Sequence, residues 1–259
     1  DAAAPAEAVE RAPEVFRGQQ SPGGRAQRGC ARLSEQPETN RPRRRAAFLL
    51  MRTLLQCGRF QLALDRPLIM GIVNLTDDSF SGDGLRGQAA NAVAQGLRMV
   101  EEGADLLDLG AESSRPGAEP VSAQQEADRL LPVIEALRGC GVPLSVDTVK
   151  PDIMPAALTA GADMINDIAA LRAPGAIEAV AASNAAVCLK HMQGEPRTMQ
   201  SDPRYGDVVA EVASFLDARV AACTAAGIDK NRIVIDPGIG FGKTLAHNLA
   251  LLRHLDRLA

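Results

Sequence analysis

Aromatic residues are scarce in this sequence: of its 259 residues, none is Trp, one is Tyr and six are Phe. Cysteine is also rare. The sequence has five Cys residues, an odd number, and no two of them form a Cys-x-x-Cys motif. They are Cys30, Cys57, Cys140, Cys188 and Cys223. Such spacing argues against a disulfide framework and against a Cys-based metal site. We therefore expect reduced, mostly buried thiols in a cytoplasmic protein.

Long hydrophobic runs are missing as well, since no apolar stretch approaches the roughly 18 residues that a membrane span needs. The segment RRRAAFLLMRTLLQC begins like a signal peptide, but Arg52 interrupts its apolar region and Gln56 is a poor cleavage neighbour. A net charge of −4 gives no electrostatic basis for binding nucleic acid. We expect neither membrane nor nucleic acid as a partner.

The first 50 residues have a different composition from the rest. They carry nine Arg against six acidic residues and show no sustained hydrophobic period. A segment of this kind cannot bury enough apolar surface to offset its chain entropy. We predict that residues 1–50 are a disordered or non-domain extension of a processed or truncated chain, and that residues 51–259 form the functional domain.

From residue 67 onward, short β-rich runs alternate with amphipathic or Ala-rich stretches, which is the pattern of a parallel α/β sheet. The predicted strands are 69–75, 105–110, 144–148, 163–168, 186–191 and 232–236. The predicted helices lie near 87–103, 122–138, 151–160, 174–183, 205–226 and 246–258.

Each predicted strand ends in a polar residue. These residues are Asn74, Asp108 with Glu112, Asp147, Asn166 with Asp167, His191 and Asp236. In a (β/α)8 barrel the carboxyl ends of all strands converge on one mouth, whereas an open doubly wound sheet needs polar ends only at its switch point. The pattern predicts a TIM-type barrel that is incomplete here, with about six βα units present.

The segment DPGIGFGKT, residues 236–244, resembles a nucleotide phosphate-binding loop. A phosphate loop requires Gly, four residues and then Gly-Lys-Ser/Thr, but Pro237 stands at the first Gly position. We therefore interpret this segment as a Gly-rich turn that permits close packing.

The polar strand ends suggest a particular ligand chemistry. Asp147, Asn166 and Asp236 suit a ligand rich in N–H donors, since a carboxylate makes paired hydrogen bonds with a 2-amino-pyrimidinone edge. Asn74, Arg115 and Lys243 suit an anion or its metal. A flat heterocycle with a phosphate tail is the implied ligand, although any single Asp could instead cap the helix that follows it.

Residues 67–259 resemble dihydropteroate synthase through six motifs in order. The motifs are IMGIVNLTDDSFSGDG (69–84), LDLGAESSRPGAEPVS (107–122), SVDTVKP (145–151), MINDI (164–168), KHMQGEPRTMQ (190–200) and DPGIGFGKTLAHN (236–248). The resemblance implies a barrel that joins 6-hydroxymethyl-7,8-dihydropterin pyrophosphate to 4-aminobenzoate, with Mg²⁺, as a homodimeric sulfonamide target in folate synthesis.

The resemblance also implies a role for each matching residue. Asn74 would hold Mg²⁺ and the pyrophosphate, Arg115 would approach the pyrophosphate, and Ser114 would approach the aminobenzoate. Asp147, Asn166 and Asp236 would bind the pterin, Phe241 would line the pocket, and Phe80 would close over it on the first loop, Thr76–Gly84. The expected catalytic residues are Asn74, Arg115 and Asp147.

The sequence departs from the family pattern at several places. Asp77 replaces a Pro, Asp83 is shifted by one position, Ala111 replaces a Gly, Ser114 replaces a Thr and Lys190 replaces a Met. We expect Lys190 to extend towards solvent or to pair with an acid such as Glu195. The Ser-Arg-Lys and Arg-x-His motifs of the last two strands do not occur, so we expect the sheet edges to be exposed and residues 51–259 alone to be unstable and inactive.

Two other functions fit the same residues. A pterin-binding methyltransferase domain has a related barrel with similar Asp and Asn strand ends, but the segment ESSRPGAEPVS suits a synthase better. An inactive fragment that only binds pterin is the second alternative.

Overall fold

The computed structural model describes residues 53–75, 84–112 and 120–258. The predicted extension at residues 1–50, most of the first loop and most of the second loop lie outside these residues. The expectations for Phe80, Ser114 and Arg115 therefore lie outside the described residues too.

The described chain begins with two short antiparallel strands and continues with six parallel ones. The antiparallel pair is β1 (Leu54–Cys57) and β2 (Phe60–Ala63). The parallel strands are β3 (Met70–Asn74), β4 (Leu106–Gly110), β5 (Leu144–Asp147), β6 (Met164–Asp167), β7 (Ala186–Lys190) and β8 (Ile233–Asp236). They pair in sequence order, β3-β4-β5-β6-β7-β8, as consecutive βα units do in a barrel wall.

A helix follows each parallel strand. The helices are α1 (Gly84–Glu101), α2 (Ala123–Leu137), α3 (Ile153–Ala160), α4 (Ala176–Ala181), α5 (Val208–Ala225) and α6 (Leu245–Arg253). Helix α2 begins with a reciprocal capping box, in which Ser122 accepts from the Gln125 amide and the Gln125 side chain accepts from the Ser122 amide. Within the described residues, no helix combines the length and the apolarity that crossing a membrane requires.

The predicted α/β architecture is confirmed, and each predicted strand agrees with the structure within one residue at either end. The prediction for the last helix was too long. Helix α6 ends at Arg253 and a short 3-10 turn, Leu255–Arg257, follows it. In the described part of the chain, β3 and β8 each pair on one side only, and Ile72 on β3 is 56% exposed. The expected instability of residues 51–259 alone stays a prediction.

The two faces of the parallel sheet carry different side chains, because successive residues of a strand point to opposite faces. On the outer face, residues such as Leu107, Val146 and Ile165 pack with helix residues such as Leu130 and Ile134 in the largest apolar cluster, and all five are fully buried. The inner face carries the alternate residues, including the polar strand ends.

The β1–β2 hairpin covers the amino-terminal part of the inner face. Leu55 and Cys57 pack there against Leu106, Met164 and Ala186. Sequence reasoning placed residues 51–66 in the domain but did not predict this hairpin.

The tight turn of the hairpin is held against β6. Gly58 has φ 54°, and a Cβ at this position would lie 2.5 Å from Asp163 Oδ1. Arg59 donates to Asp163 through its amide and its guanidinium, at 3.1 Å and 2.9 Å to Oδ1 and 2.8 Å to Oδ2. The hairpin thus gives the inner face an apolar floor, above which the polar residues lie.

Candidate active site

The carboxyl edge of the inner face brings together four of the predicted site residues. Asn74, Asp147 and Asn166 lie in one row across the sheet, because Asn74 is in register with Gly110, Gly110 with Asp147, and Asp147 with Asn166. Asp236 lies on β8 at the same edge, in register with Lys190. Alternation along the strands turns all four side chains to the inner face.

Asn166 has a fixed orientation beneath this edge. Its Nδ2 donates to Asp108 Oδ2 at 3.0 Å, and both residues are 5% exposed. The remaining oxygens, Asn166 Oδ1 and Asp108 Oδ1, are buried without a hydrogen-bond partner among the described residues, as is Ser145 Oγ. Unpartnered buried acceptors are rare and costly in folded proteins. A ligand or a water with N–H or O–H donors would satisfy them.

Asp147 is held in an environment that disfavours its charge. Burial, together with the nearby Asp108 carboxyl, raises the pKa of Asp147 to about 7, while Lys190 acts in the opposite direction. Burial also raises the pKa of Asp108, against the lowering effect of the Ser145 hydroxyl and the Asn166 amide. Ser145 lies near enough to exert this effect without making a well-formed hydrogen bond. The inner face thus holds two carboxyl groups that bind protons more readily than usual.

Asp236 is oriented through both of its oxygens. Oδ1 accepts from the Gly238 amide at 2.7 Å, and Oδ2 lies 3.5 Å from Lys190 Nζ. The same ammonium lies 4.8 Å from the centre of the Phe241 ring. The expectation that Lys190 extends towards solvent or pairs with an acid is confirmed in its second form. The acid is Asp236 rather than Glu195, because Lys190 is in register with Asp236 and points to the inner face.

The Gly-rich segment after β8 packs closely on the segment after β7. A Cβ at Gly238 would lie 1.8 Å from the backbone oxygen of His191, and Gly238 has φ 68°. Gly242 makes a second such approach, with its ideal Cβ 2.5 Å from the Gln193 oxygen. The interpretation of this segment as a tight turn that permits close packing is confirmed.

Lys243 lies inside this turn and is 3% exposed. Its ammonium contacts the backbone oxygens of Gly238, Phe241 and His191 at 2.9, 2.9 and 3.3 Å, and His191 Nδ1 at 3.0 Å. Burial lowers the pKa of Lys243 to about 8, and burial with the Lys243 charge lowers that of His191 to about 4. His191 is therefore neutral near pH 7. Lys243 is thus directed at backbone oxygens and His191, and the substrate contact expected from the sequence stays a prediction.

A cavity of about 370 Å³ opens beside the row of acceptors. Of the predicted site residues that the structure describes, Asp147 alone lines this cavity. Its other lining residues include Glu112, Glu126, Ile168, Arg172, Met192 and residues of the segment after β7. Lys150 bridges Glu112 and the buried Glu126 on one wall of this cavity. Asp147 therefore lies where the inner face meets the cavity.

Sequence reasoning missed two members of this site. Asp108 was recognised as a polar strand end but not as the partner of Asn166, and its signal is a carboxylate inside the apolar run LLDLG. The pairing of Lys190 with Asp236 was also missed. Its only signal is a lysine ending a strand beside one that ends in Asp.

Inward acceptors at the carboxyl edge of consecutive parallel βα units define a ligand-binding α/β barrel protein. Residues 70–259 match the family of pterin binding enzymes. The dihydropteroate synthase of Neisseria meningitidis serogroup C is 51% identical over 212 residues, covering 81% of this chain and 75% of that protein.

Solved structures agree with the sequence comparison. A Xanthomonas albilineans dihydropteroate synthase with 4-aminobenzoic acid has a TM-score of 0.74 and 54% identity, covering 80% of this chain and 74% of that one. The Burkholderia cenocepacia dihydropteroate synthase with 7,8-dihydropteroate has a TM-score of 0.72 and 51% identity, covering 80% of this chain and 71% of that one. The chain belongs to the dihydropteroate synthase family.

Proposed function

We propose that the full-length protein, in contrast to residues 51–259 alone, condenses 6-hydroxymethyl-7,8-dihydropterin pyrophosphate with 4-aminobenzoate to give 7,8-dihydropteroate and pyrophosphate. The observation that carries this proposal is the set of acceptors on the inner face, where Asp147, Asn166 and Asp236 share one edge of the sheet. The relatives, which are dihydropteroate synthases, support this reaction over that of a methyltransferase.

The pterin fits these acceptors by its pattern of donors. Its 2-amino group and ring N–H form a continuous donor edge, and ionised carboxylates bind such an edge through charge-assisted hydrogen bonds. We assign the ionised form of Asp147 to this edge, with Asn166, its register partner on β6, as a second acceptor through Oδ1. Phe241, beside Lys190, offers an apolar surface for the ring.

Asn74 would hold Mg²⁺ and the pyrophosphate at the β3 end of the row. Among the described residues, no cluster of three or more His, Cys, Asp or Glu side chains is arranged to hold a metal. This agrees with the usual coordination of Mg²⁺, which keeps several waters and takes one or two protein oxygens together with substrate phosphates. When bound, Mg²⁺ would offset the negative charge that develops on the departing pyrophosphate.

The reaction breaks the bond between the pterin methylene and the pyrophosphate oxygen and forms a bond from that methylene to the aminobenzoate nitrogen. The amine then loses one proton. The pterin ring can stabilise positive charge at the methylene, so the protein's main task is to orient the two reactants. Asp147, Asn166 and Asp236 fix the ring, and we assign Arg115 to the pyrophosphate, Ser114 to the aminobenzoate and Phe80 to closure over the site.

Lys243 takes a different role in this proposal. Because its ammonium is enclosed by backbone oxygens, we assign it to positioning the turn that carries Phe241 and follows Asp236. We further infer a homodimer in the cytoplasm, which sedimentation and cell fractionation test.

The experiment measures pyrophosphate release that depends on both substrates. Asp147→Asn and Asp236→Asn should each lower kcat/KM by about tenfold to a hundredfold, because each weakens one or more charge-assisted hydrogen bonds. Asp217→Asn on the exposed face of α5 is the matched control and should leave activity unchanged. Release without aminobenzoate dependence would contradict the proposal, and pterin binding without turnover would favour the binding-only alternative.

A further inference from the structure

Lys190 ends strand β7 and turns to the inner face. Its side chain is 12% exposed, and its register partner on β8 is Asp236. Among the inward-facing residues of the six described parallel strands, Lys190 is the one cation. It therefore introduces a positive hydrogen-bond donor into a face of acceptors.

The ammonium of Lys190 is incompletely paired. Its contacts in the described residues are Asp236 Oδ2 at 3.5 Å and the Phe241 ring face at 4.8 Å. Charge-assisted N–H···O bonds are usually about 2.7–2.9 Å long, so the contact with Asp236 leaves donor capacity unused. Removing an ammonium from water is costly unless hydrogen bonds replace its hydration.

Other groups around Lys190 mostly accept hydrogen bonds. Asp236 and Asp147 present carboxylates, and the Asn166 amide has already given a hydrogen to Asp108, which leaves Asn166 Oδ1 as its free atom. A ligand with only donors would satisfy this set but not the Lys190 ammonium. A ring with one donor edge and a neighbouring acceptor atom would satisfy both the acceptor side chains and the Lys190 ammonium.

We propose that Lys190 is a specificity-determining residue whose ammonium donates to the acceptor edge of the bound heterocycle, selecting a 4-oxo pterin over a 4-amino one. This inference rests on the proposed function for the identity of the ring. A 4-oxo group accepts a hydrogen bond from Lys190, whereas a 4-amino group places N–H against N–H and leaves the ammonium unpaired. The positive charge of Lys190 also lowers the pKa of Asp147 and so favours the ionised carboxylate that binds the donor edge of the same ring.

The test measures the affinity of the purified protein for two ligands, 6-hydroxymethylpterin and 2,4-diamino-6-hydroxymethylpteridine, by calorimetry. The unchanged protein should prefer the 4-oxo ligand. Lys190→Met should lower the ratio of the two affinities by about tenfold or more, because a charge-assisted hydrogen bond to one ligand is lost. Lys190→Arg, which keeps donors and charge, should retain most of the preference.

A second neutral variant covers a folding failure of Lys190→Met. Lys190→Gln should also lose the preference, because its amide can turn to offer either a donor or an acceptor. If Lys190 only orients Asp236, both affinities fall by the same factor and the ratio stays unchanged, which overturns the inference. Failure of the unchanged protein to bind the 4-oxo ligand overturns the proposed function as well, so the two failures are distinguishable.

Discussion

Asp147 should make pterin binding depend on pH near neutrality. Its pKa is raised to about 7 by burial and by Asp108, against the opposing charge of Lys190, with smaller contributions from the carboxyl groups of Asp167 and Glu126. A ligand that donates N–H groups binds the ionised form of Asp147. Below about pH 7 the empty site holds a proton that must leave before this bond can form.

The size of the effect follows from that pKa. One pH unit below the pKa, ionising Asp147 costs about 1.4 kcal/mol, and one unit above it costs almost nothing. The dissociation constant for 6-hydroxymethylpterin should therefore increase by about tenfold from about pH 8 to about pH 6. Asp147→Asn removes this titration and should bind more weakly at about pH 8, with a much flatter pH dependence.

The assay is a fluorescence titration of both proteins across this pH range at constant ionic strength. The ratio of their dissociation constants cancels the titration of the ligand itself. A ratio that does not change with pH would refute the reasoning.

The raised pKa of Asp147 also predicts how the stability of the folded protein changes with pH. A carboxyl group whose pKa is raised on folding stabilises the folded state below its unfolded pKa near 4, and this contribution is lost as pH rises through about 7. Without ligand, Asp147→Asn should therefore raise Tm more at about pH 8 than at about pH 5, relative to the unchanged protein.

Three further changes test the supporting structure by denaturant unfolding. Lys243→Met should lower the free energy of unfolding by about 2–4 kcal/mol, because it leaves buried backbone oxygens unpaired; an unchanged midpoint would contradict the positioning role. Gly238→Ala should destabilise far more than Gly227→Ala, since both have positive φ but only the first places a Cβ 1.8 Å from a backbone oxygen; equal losses would contradict this. Arg59→Ala should cost about 1–3 kcal/mol by removing guanidinium hydrogen bonds from buried Asp163, and no loss would show that the hairpin turn does not depend on them.

The parallel strands could be predicted from sequence because each is a short apolar run with a polar end, separated from the next by a helix-length segment. The β1–β2 hairpin could not be predicted in this way. Leu55 and Cys57 alternate with exposed or half-exposed neighbours over too few residues to form a strong period, and Gly58 gives only a weak turn signal.

The acceptor row was also predictable, since alternation and the parallel direction place Asn74, Asp147, Asn166 and Asp236 at one edge of one face. The direction of a long side chain such as that of Lys243 was not predictable from the sequence. Lys243 follows a Gly-rich turn, as an anion ligand would, yet its chain folds back into that turn because several backbone oxygens converge there. The remaining partner of this ammonium, His191, is 52 residues away in sequence, so that contact depends on segments that only the fold brings together.

A crystal structure of the protein with 6-hydroxymethylpterin tests the central claim most directly. We expect the oxygens of Asp147, Asn166 and Asp236 to lie within about 3 Å of nitrogen atoms of one ring, directly or through one water. A ring bound instead wholly within the neighbouring cavity, against Arg172 and away from Asn166 and Asp236, would contradict the claim that these strand ends bind a single ligand.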